Sequence, residues 1–245
     1  MQFGLDYGIS NQRGRVSEEQ AAQILSTAQR RGVAMLDTAA GYGDGERVLG
    51  RMMMNHPGRF KVVTKMSATA ATPATREVGQ KVRAVLAQSL NRLGLPSVYG
   101  LLAHRVADLL QPGGQYLIDA MMECKSLGQT EEIGVSVYSG AGIDKILELF
   151  IPDIVRLPIN VADQRLIRSG HLDLLKRHGV EFMLVPFFCR GFCSCRRKPC
   201  PTIFLPFDAI LPKSGRRSWS NNGLHWRGAS VLPWDVRSWM WFWRG

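Results

Sequence analysis

Tryptophan is absent from the first 186 residues of this 245-residue chain, and cysteine occurs there once, as Cys124. A lone thiol in that stretch excludes a disulfide framework for it. No run of 18 or more apolar residues occurs, which excludes a membrane-spanning helix. The opening Met1-Gln2-Phe3-Gly4-Leu5-Asp6 lacks the basic start and apolar run of a secretory leader, so the cytoplasm is the expected compartment. There is no Gly-x-x-x-x-Gly-Lys phosphate loop. Acidic residues are also short: 20 Asp and Glu face 31 Lys and Arg, a net charge of +11.

That charge is unevenly spread. Residues 187–245 hold ten Lys and Arg against Asp208 and Asp235, a net of +8. They also hold all six Trp and four of the five Cys. Residues 1–186 carry the remaining +3 and read as an ordinary folded protein, within an overall hydrophobic content of 45%. The chain therefore divides into residues 1–186 and a basic, Cys- and Trp-rich tail, residues 187–245. Cys189, Cys193, Cys195, Cys200 and His225 could be read as zinc ligands. They contain no Cys-x-x-Cys pair, so no metal site is expected. Arg196-Arg197-Lys198 and the Trp-rich end suggest contact with nucleic acid or a membrane surface. Pro199, Pro201, Pro206, Pro212 and Pro233 break any long amphipathic helix, and no specific nucleic acid is expected.

Along residues 1–186 strand and helix alternate. Ser17-Glu18-Glu19-Gln20 is a capping box, followed by Ala21, Ile24, Leu25 and Ala28 at helical spacing, with Gly32 as the stop. Strands are expected at 33–36, 60–65, 97–102, 133–137, 153–157 and 180–185. Helices are expected at 46–54, 75–93, 116–127, 143–150 and 172–177. With a short strand at the extreme N-terminus, seven strands precede Pro186. Such alternation implies a parallel sheet with right-handed crossovers, hence an α/β fold of the (β/α)8 barrel type.

In such a barrel the C-terminal ends of the strands meet at one mouth, where the chemistry is done. Asp37 ends one strand and Tyr42 follows in its loop; Lys65 ends the next strand and His104 the one after. Each has a bland reading, as a strand cap, a packed ring, a solvated strand end or a rim histidine. Together they bring four reactive types to one rim. His171 and His178 flank a helix and read as solvated, Cys124 as a small apolar residue, and Met52-Met53-Met54 as core or helix surface.

These residues carry a resemblance. Leu36-Asp37-Thr38-Ala39-Ala40-Gly41-Tyr42-Gly43, with Glu46 and Leu49-Gly50, resembles the Asp-Thr-Ala-x-x-Tyr-Gly pattern of the aldo-keto reductases. Val62-Val63-Thr64-Lys65 resembles that family's lysine strand, and Tyr99-Gly100-Leu101-Leu102-Ala103-His104 its histidine strand. Gly134-Val135-Ser136 is similar to the strand whose Ser contacts the nicotinamide amide, although Val137 stands where Asn is usual. Leu157-Pro158-Ile159-Asn160 resembles the Pro-x-Asn segment.

The resemblance implies an NADPH-dependent oxidoreductase that reduces an aldehyde or ketone to an alcohol. Tyr42 would be the proton donor. A free phenol, pKa ~10, is a poor acid at pH 7, and Lys65 would lower it. Asp37 would hold Lys65 charged, and His104 would orient the carbonyl. The cofactor would lie against Ser136, Asn160, Arg156 and Asp37.

The tail departs from the family. Its adenosine 2′-phosphate loop and eighth strand have no counterpart after Val185-Pro186, and the nicotinamide-stacking aromatic is missing near Leu184. Residues from about 187 read like translation in a shifted frame. The expected barrel is therefore incomplete or distorted at its C-terminal end, with self-association through the open edge. The alternative function is a barrel remnant that keeps these residues but binds cofactor poorly. The expected partner is a small carbonyl compound.

Overall fold

Six parallel strands form one sheet whose order follows the sequence. They are β1 (Met35–Asp37), β2 (Lys61–Met66), β3 (Val98–Ala103), β4 (Thr130–Ser136), β5 (Ile154–Pro158) and β6 (Glu181–Val185). The computed structural model describes residues 3–6, 11, 14–54, 60–66, 74–159, 163–185, 216–220 and 223–227. Among the described residues each strand from β1 to β5 is followed by one or more helices, and β6 is the last strand of the sheet. The helices are α1 (Glu18–Arg30), α2 (Gly45–Met53), α3 (Arg76–Leu93), α4 (Val106–Leu110), α5 (Gln115–Ser126), α6 (Gly140–Leu149), α7 (Arg165–Arg168) and α8 (His171–Arg177). The described residues thus form a six-stranded parallel α/β sheet of the (β/α)8-barrel type. No described helix is long and apolar enough to cross a membrane.

Alternation along each strand divides the side chains between two faces. Outward residues such as Leu36, Val62, Leu101, Ile133, Val135 and Val155 join the helices in the main core. Helix α3 contributes Val78, Val82, Leu86 and Leu93 at helical spacing. Inward residues form a smaller cluster of Val63, Leu102, Ile154 and Met183. Above that plug lie the polar residues of the C-terminal rim. Beneath it Tyr99 donates to Glu181, tying β3 to β6.

Local rules explain the element ends. Ser17 and Gln20 exchange the two bonds of the capping box that starts α1. Gly94 closes α3 at φ 66°, the left-handed region that favours glycine. Strand β1 begins at Met35 rather than Val33, because the Val33 N–H is spent on Ala28 O in closing α1. Strand β4 begins at Thr130, ahead of the apolar run. Its polar start is paired with Val98 and Gly100, and Lys125 lies 3.6 Å from Glu132.

Two expectations are corrected, and two short helices are added. The N-terminal strand is a single parallel bridge, Gly4 to Gly43, among the described residues, so the sheet has six strands there rather than seven. Helices α4 and α7 have five and four residues, too short to show a hydrophobic period. His171 is not solvated: its ring packs over Gly140, with Nδ1 2.7 Å from Ser169 Oγ and Nε2 3.3 Å from Asp144.

The chain separates into two compact units, 1–191 and 192–245. In the second, β7 (Arg216–Ser220) and β8 (Gly223–Arg227) pair as an antiparallel hairpin. The cysteines and prolines weighed in the tail lie outside the described residues.

Candidate active site

The rim is built by register. Asp37, the last residue of β1, sits two places beyond Met35 and so turns inward with it. Lys65 lies two places beyond Val63 on β2, and His104 follows the end of β3. Ser136 ends β4, directly paired with Arg156 of β5.

The backbone then carries Tyr42 back over the rim. The Thr38 N–H donates to Val63 O at 2.9 Å and Ala40 N–H to Lys65 O at 3.1 Å, so the segment after β1 still follows β2. Two turns, Tyr42 N–H to Ala39 O and Gly45 N–H to Tyr42 O, fix the loop. Gly43 must be glycine: its φ is 56°, and a Cβ there would lie 2.8 Å from Gly4 O.

Lys65 is fully buried. Its ammonium donates to Asp37 Oδ1 and, at 2.5 Å, to the carbonyl oxygen of Thr38. The Tyr42 ring centre is 5.4 Å from Lys65 Nζ. Tyr42 and His104 meet edge to face, with ring centres 6.0 Å apart and an interplanar angle of 81°. Both rings are half-buried.

Arg156 completes the layer. Its Nε donates to Asp37 Oδ2 at 3.0 Å and its Nη1 to Ser136 Oγ at 3.0 Å, with the Tyr138 hydroxyl 3.4 Å away.

The ionisation of this cluster is set by burial against charge. Burial pulls the Lys65 ammonium down and the Asp37 carboxylate opposes it; with the Arg156 charge added, Lys65 ends at about 8. Burial pushes Asp37 up, but Lys65 and Arg156 outweigh it and hold the carboxyl below its ordinary range. Burial lowers His104, and the same two cations lower it further, so at neutral pH the imidazole is uncharged.

Six of the seven residues singled out in the sequence thus meet at one rim: Asp37, Tyr42, Lys65, His104, Ser136 and Arg156. Asn160 lies outside the described residues. Tyr138 and the Thr38 carbonyl were not anticipated. Tyr138 stands two places after Ser136, so inward alternation continued past the strand end would have found it. Tyr99, the other tyrosine of the matched motifs, is at the opposite end of its strand. Burial and the bond to Glu181 raise its phenol well above the usual range.

The fold and rim define the class, a parallel α/β barrel with a Lys–Asp pair beside a tyrosine at the C-terminal mouth. The chain belongs to the aldo/keto reductase family, whose model matches residues 1–199. An aldo-keto reductase of Mycolicibacterium vanbaalenii is 32% identical over 170 residues, 64% of this chain and 57% of the relative. The chain thus spans less than two thirds of that relative's length.

Among solved structures, the holo form of an aldo-keto reductase of Bacillus halodurans superposes with a TM-score of 0.63 at 21% identity. That match covers 79% of this chain and 66% of the other. A Bombyx mori aldo-keto reductase in complex with NADP gives 0.58 at 20% identity, covering 80% and 64%. These likenesses are of fold.

Proposed function

We propose that this chain reduces an aldehyde or ketone to an alcohol, with Tyr42 as proton donor and NADPH as reductant. The observation that carries this reading is the buried Lys65 ammonium, held by Asp37 and 5.4 Å from the centre of the Tyr42 ring. A cation there favours phenolate over phenol, so Tyr42 gives up its proton more readily. Asp37 and the Thr38 carbonyl aim the ammonium and keep it from swinging into the mouth. His104, uncharged at neutral pH, has one ring N–H to donate to the carbonyl oxygen, which orients the substrate and supports the charge that develops on it.

The residues on this rim fit the nicotinamide end of the cofactor. Ser136 is buried and accepts from Arg156, which leaves its hydroxyl proton suited to a carboxamide oxygen. Bound there, NADPH supplies the hydride that reaches the carbonyl carbon. The adenosine 2′-phosphate motif of the family has no counterpart in the sequence after Val185. For that reason the affinity for NADPH is weak and its advantage over NADH small. The same feature favours the second reading, a barrel that retains the rim but binds cofactor poorly.

One titration separates the two. NADPH is added and its nicotinamide fluorescence followed, and a panel of aldehydes and ketones is then supplied. Binding followed by oxidation supports the reductase. Binding without oxidation of any carbonyl, or no binding at millimolar NADPH, supports the remnant.

A further inference from the structure

Two cations share one carboxylate at the rim. Lys65 holds Asp37 Oδ1, and Arg156 holds Asp37 Oδ2 at 3.0 Å. Arg156 belongs to β5 and Asp37 to β1, so the guanidinium crosses the interior of the sheet to reach it. It is 8% exposed and is braced by Ser136 and Tyr138. Among the described residues its hydrogen bonds go to Asp37, Ser136 and Tyr138.

We propose that Arg156 is a positioning residue of the active site: bonded to one oxygen of Asp37 while Lys65 holds the other, it fixes that carboxylate and shares its charge with Lys65. The proposal rests on the reading of Lys65 as the partner of Tyr42 only for its consequence in catalysis.

The reasoning is electrostatic. A buried lysine keeps its proton to the extent that a carboxylate compensates for lost water. Were Asp37 devoted to Lys65 alone, the full carboxylate charge would oppose burial. With Arg156 on the second oxygen, a permanently charged group takes part of that field and adds repulsion of its own.

The remaining charges around Lys65 do not reverse this. Asp37 and Tyr42 face it from β1 and its following loop, His104 from the end of β3, Arg156 from β5 and Tyr138 from beyond β4. Glu46 of α2 acts from the outer face of β2, where Thr64 and Arg92 already engage it. Asp108 of α4 acts on His104 and is paired with Arg105. Lys65 is lowered to about 8 chiefly by burial, with the Arg156 charge adding to it against the pull of Asp37, which agrees with this arrangement.

The test reads Lys65 itself. Lysine Cε chemical shifts are followed by 13C NMR from pH 6 to 11 in the full chain without cofactor, with Lys65 assigned from Lys65→Met. Replacing Arg156 by Gln removes the rival cation, and the Lys65 midpoint is expected to rise by roughly one pH unit or more. Arg156→Lys keeps a cation at the same place and is expected to restore the wild-type midpoint. If the Gln variant does not fold, Arg156→Met, which keeps an apolar stem, gives the same reading.

A midpoint unmoved or lowered by loss of the guanidinium overturns the proposal and leaves Arg156 a purely structural brace. So does an Arg156→Lys midpoint that follows the Gln variant. Because no cofactor is present, failure of NADPH binding would defeat the proposed function without touching this result. Where activity is measurable, the alkaline limb of kcat/KM, which reports the enzyme before substrate binds, shifts in the same direction as the NMR midpoint.

Discussion

Arg156 and Asp37, 119 positions apart in sequence, are joined by a 3.0 Å hydrogen bond across the interior of the sheet. That bond links the first strand to the fifth and sets the carboxylate between two cations. It makes the rim a single electrostatic unit, in which a change at any of Asp37, Lys65 or Arg156 is felt by Tyr42 and His104. The expected behaviour of variants follows from this coupling.

Tyr42→Phe removes the proposed proton donor and keeps the ring that packs against His104. The expected loss in kcat is ~10²–10⁴-fold, the usual worth of general acid catalysis, with the Kd for NADPH little changed. Steady-state rates and nicotinamide fluorescence on the same preparation check both halves.

The pH dependence of stability carries the Lys65 signature. Its folded pKa of about 8 lies below the value of ~10.4 for an unfolded lysine, so the unfolded chain binds the extra proton between them. Stability from this group therefore rises with pH across that window. Between pH 8 and pH 10 the wild type is expected to gain about 2 kcal/mol relative to Lys65→Met, read from urea midpoints at each pH.

Glu46 is a fully buried carboxylate with a structural task. It accepts from Thr64 Oγ1 at 2.6 Å and from Arg92 Nε at 2.8 Å, joining α2, β2 and α3 beside the Lys65 strand. Arg92→Ala strands its charge and is expected to cost about 3 kcal/mol, while Arg92→Ala combined with Glu46→Gln recovers part of that loss. Urea unfolding of the single and double variants measures the difference.

Gly134 marks the closest strand contact. A Cβ there would lie 1.7 Å from Ile154 O, so Gly134→Ala must push β4 from β5. Overpacking of this kind costs about 1–3 kcal/mol. Because Ser136 and Arg156 are paired two residues along, the same variant is expected to weaken NADPH binding. Thermal unfolding and a cofactor titration separate the two effects.

Much of this architecture was legible in the sequence. The capping box at Ser17 and the helical spacing of Val78, Val82 and Leu86 are local signals. Local chemistry decides those elements, and they form where expected. Asp37, Lys65 and His104 were legible because strand ends in a parallel barrel share a rim. What escaped was tertiary. Arg156 looks in sequence like a charged residue within an apolar strand, and only the fold shows that its partner is Asp37. Helices α4 and α7 are single turns, and the start of β4 is polar; neither presents a period to read. The ring of His171 found a place over Gly140 that no spacing announces.

The proposal that Tyr42 works beside Lys65 in a nicotinamide-dependent reduction is tested most directly by a single-turnover experiment. Excess protein is mixed with NADPH, an aldehyde is added, and nicotinamide fluorescence is followed in the wild type and in Tyr42→Phe. The account predicts that the wild type oxidises the bound NADPH, while the variant binds it equally and oxidises it at least ~100-fold more slowly. Equal rates in the two proteins, or a wild type that binds NADPH and leaves it unoxidised with every aldehyde and ketone supplied, would contradict it.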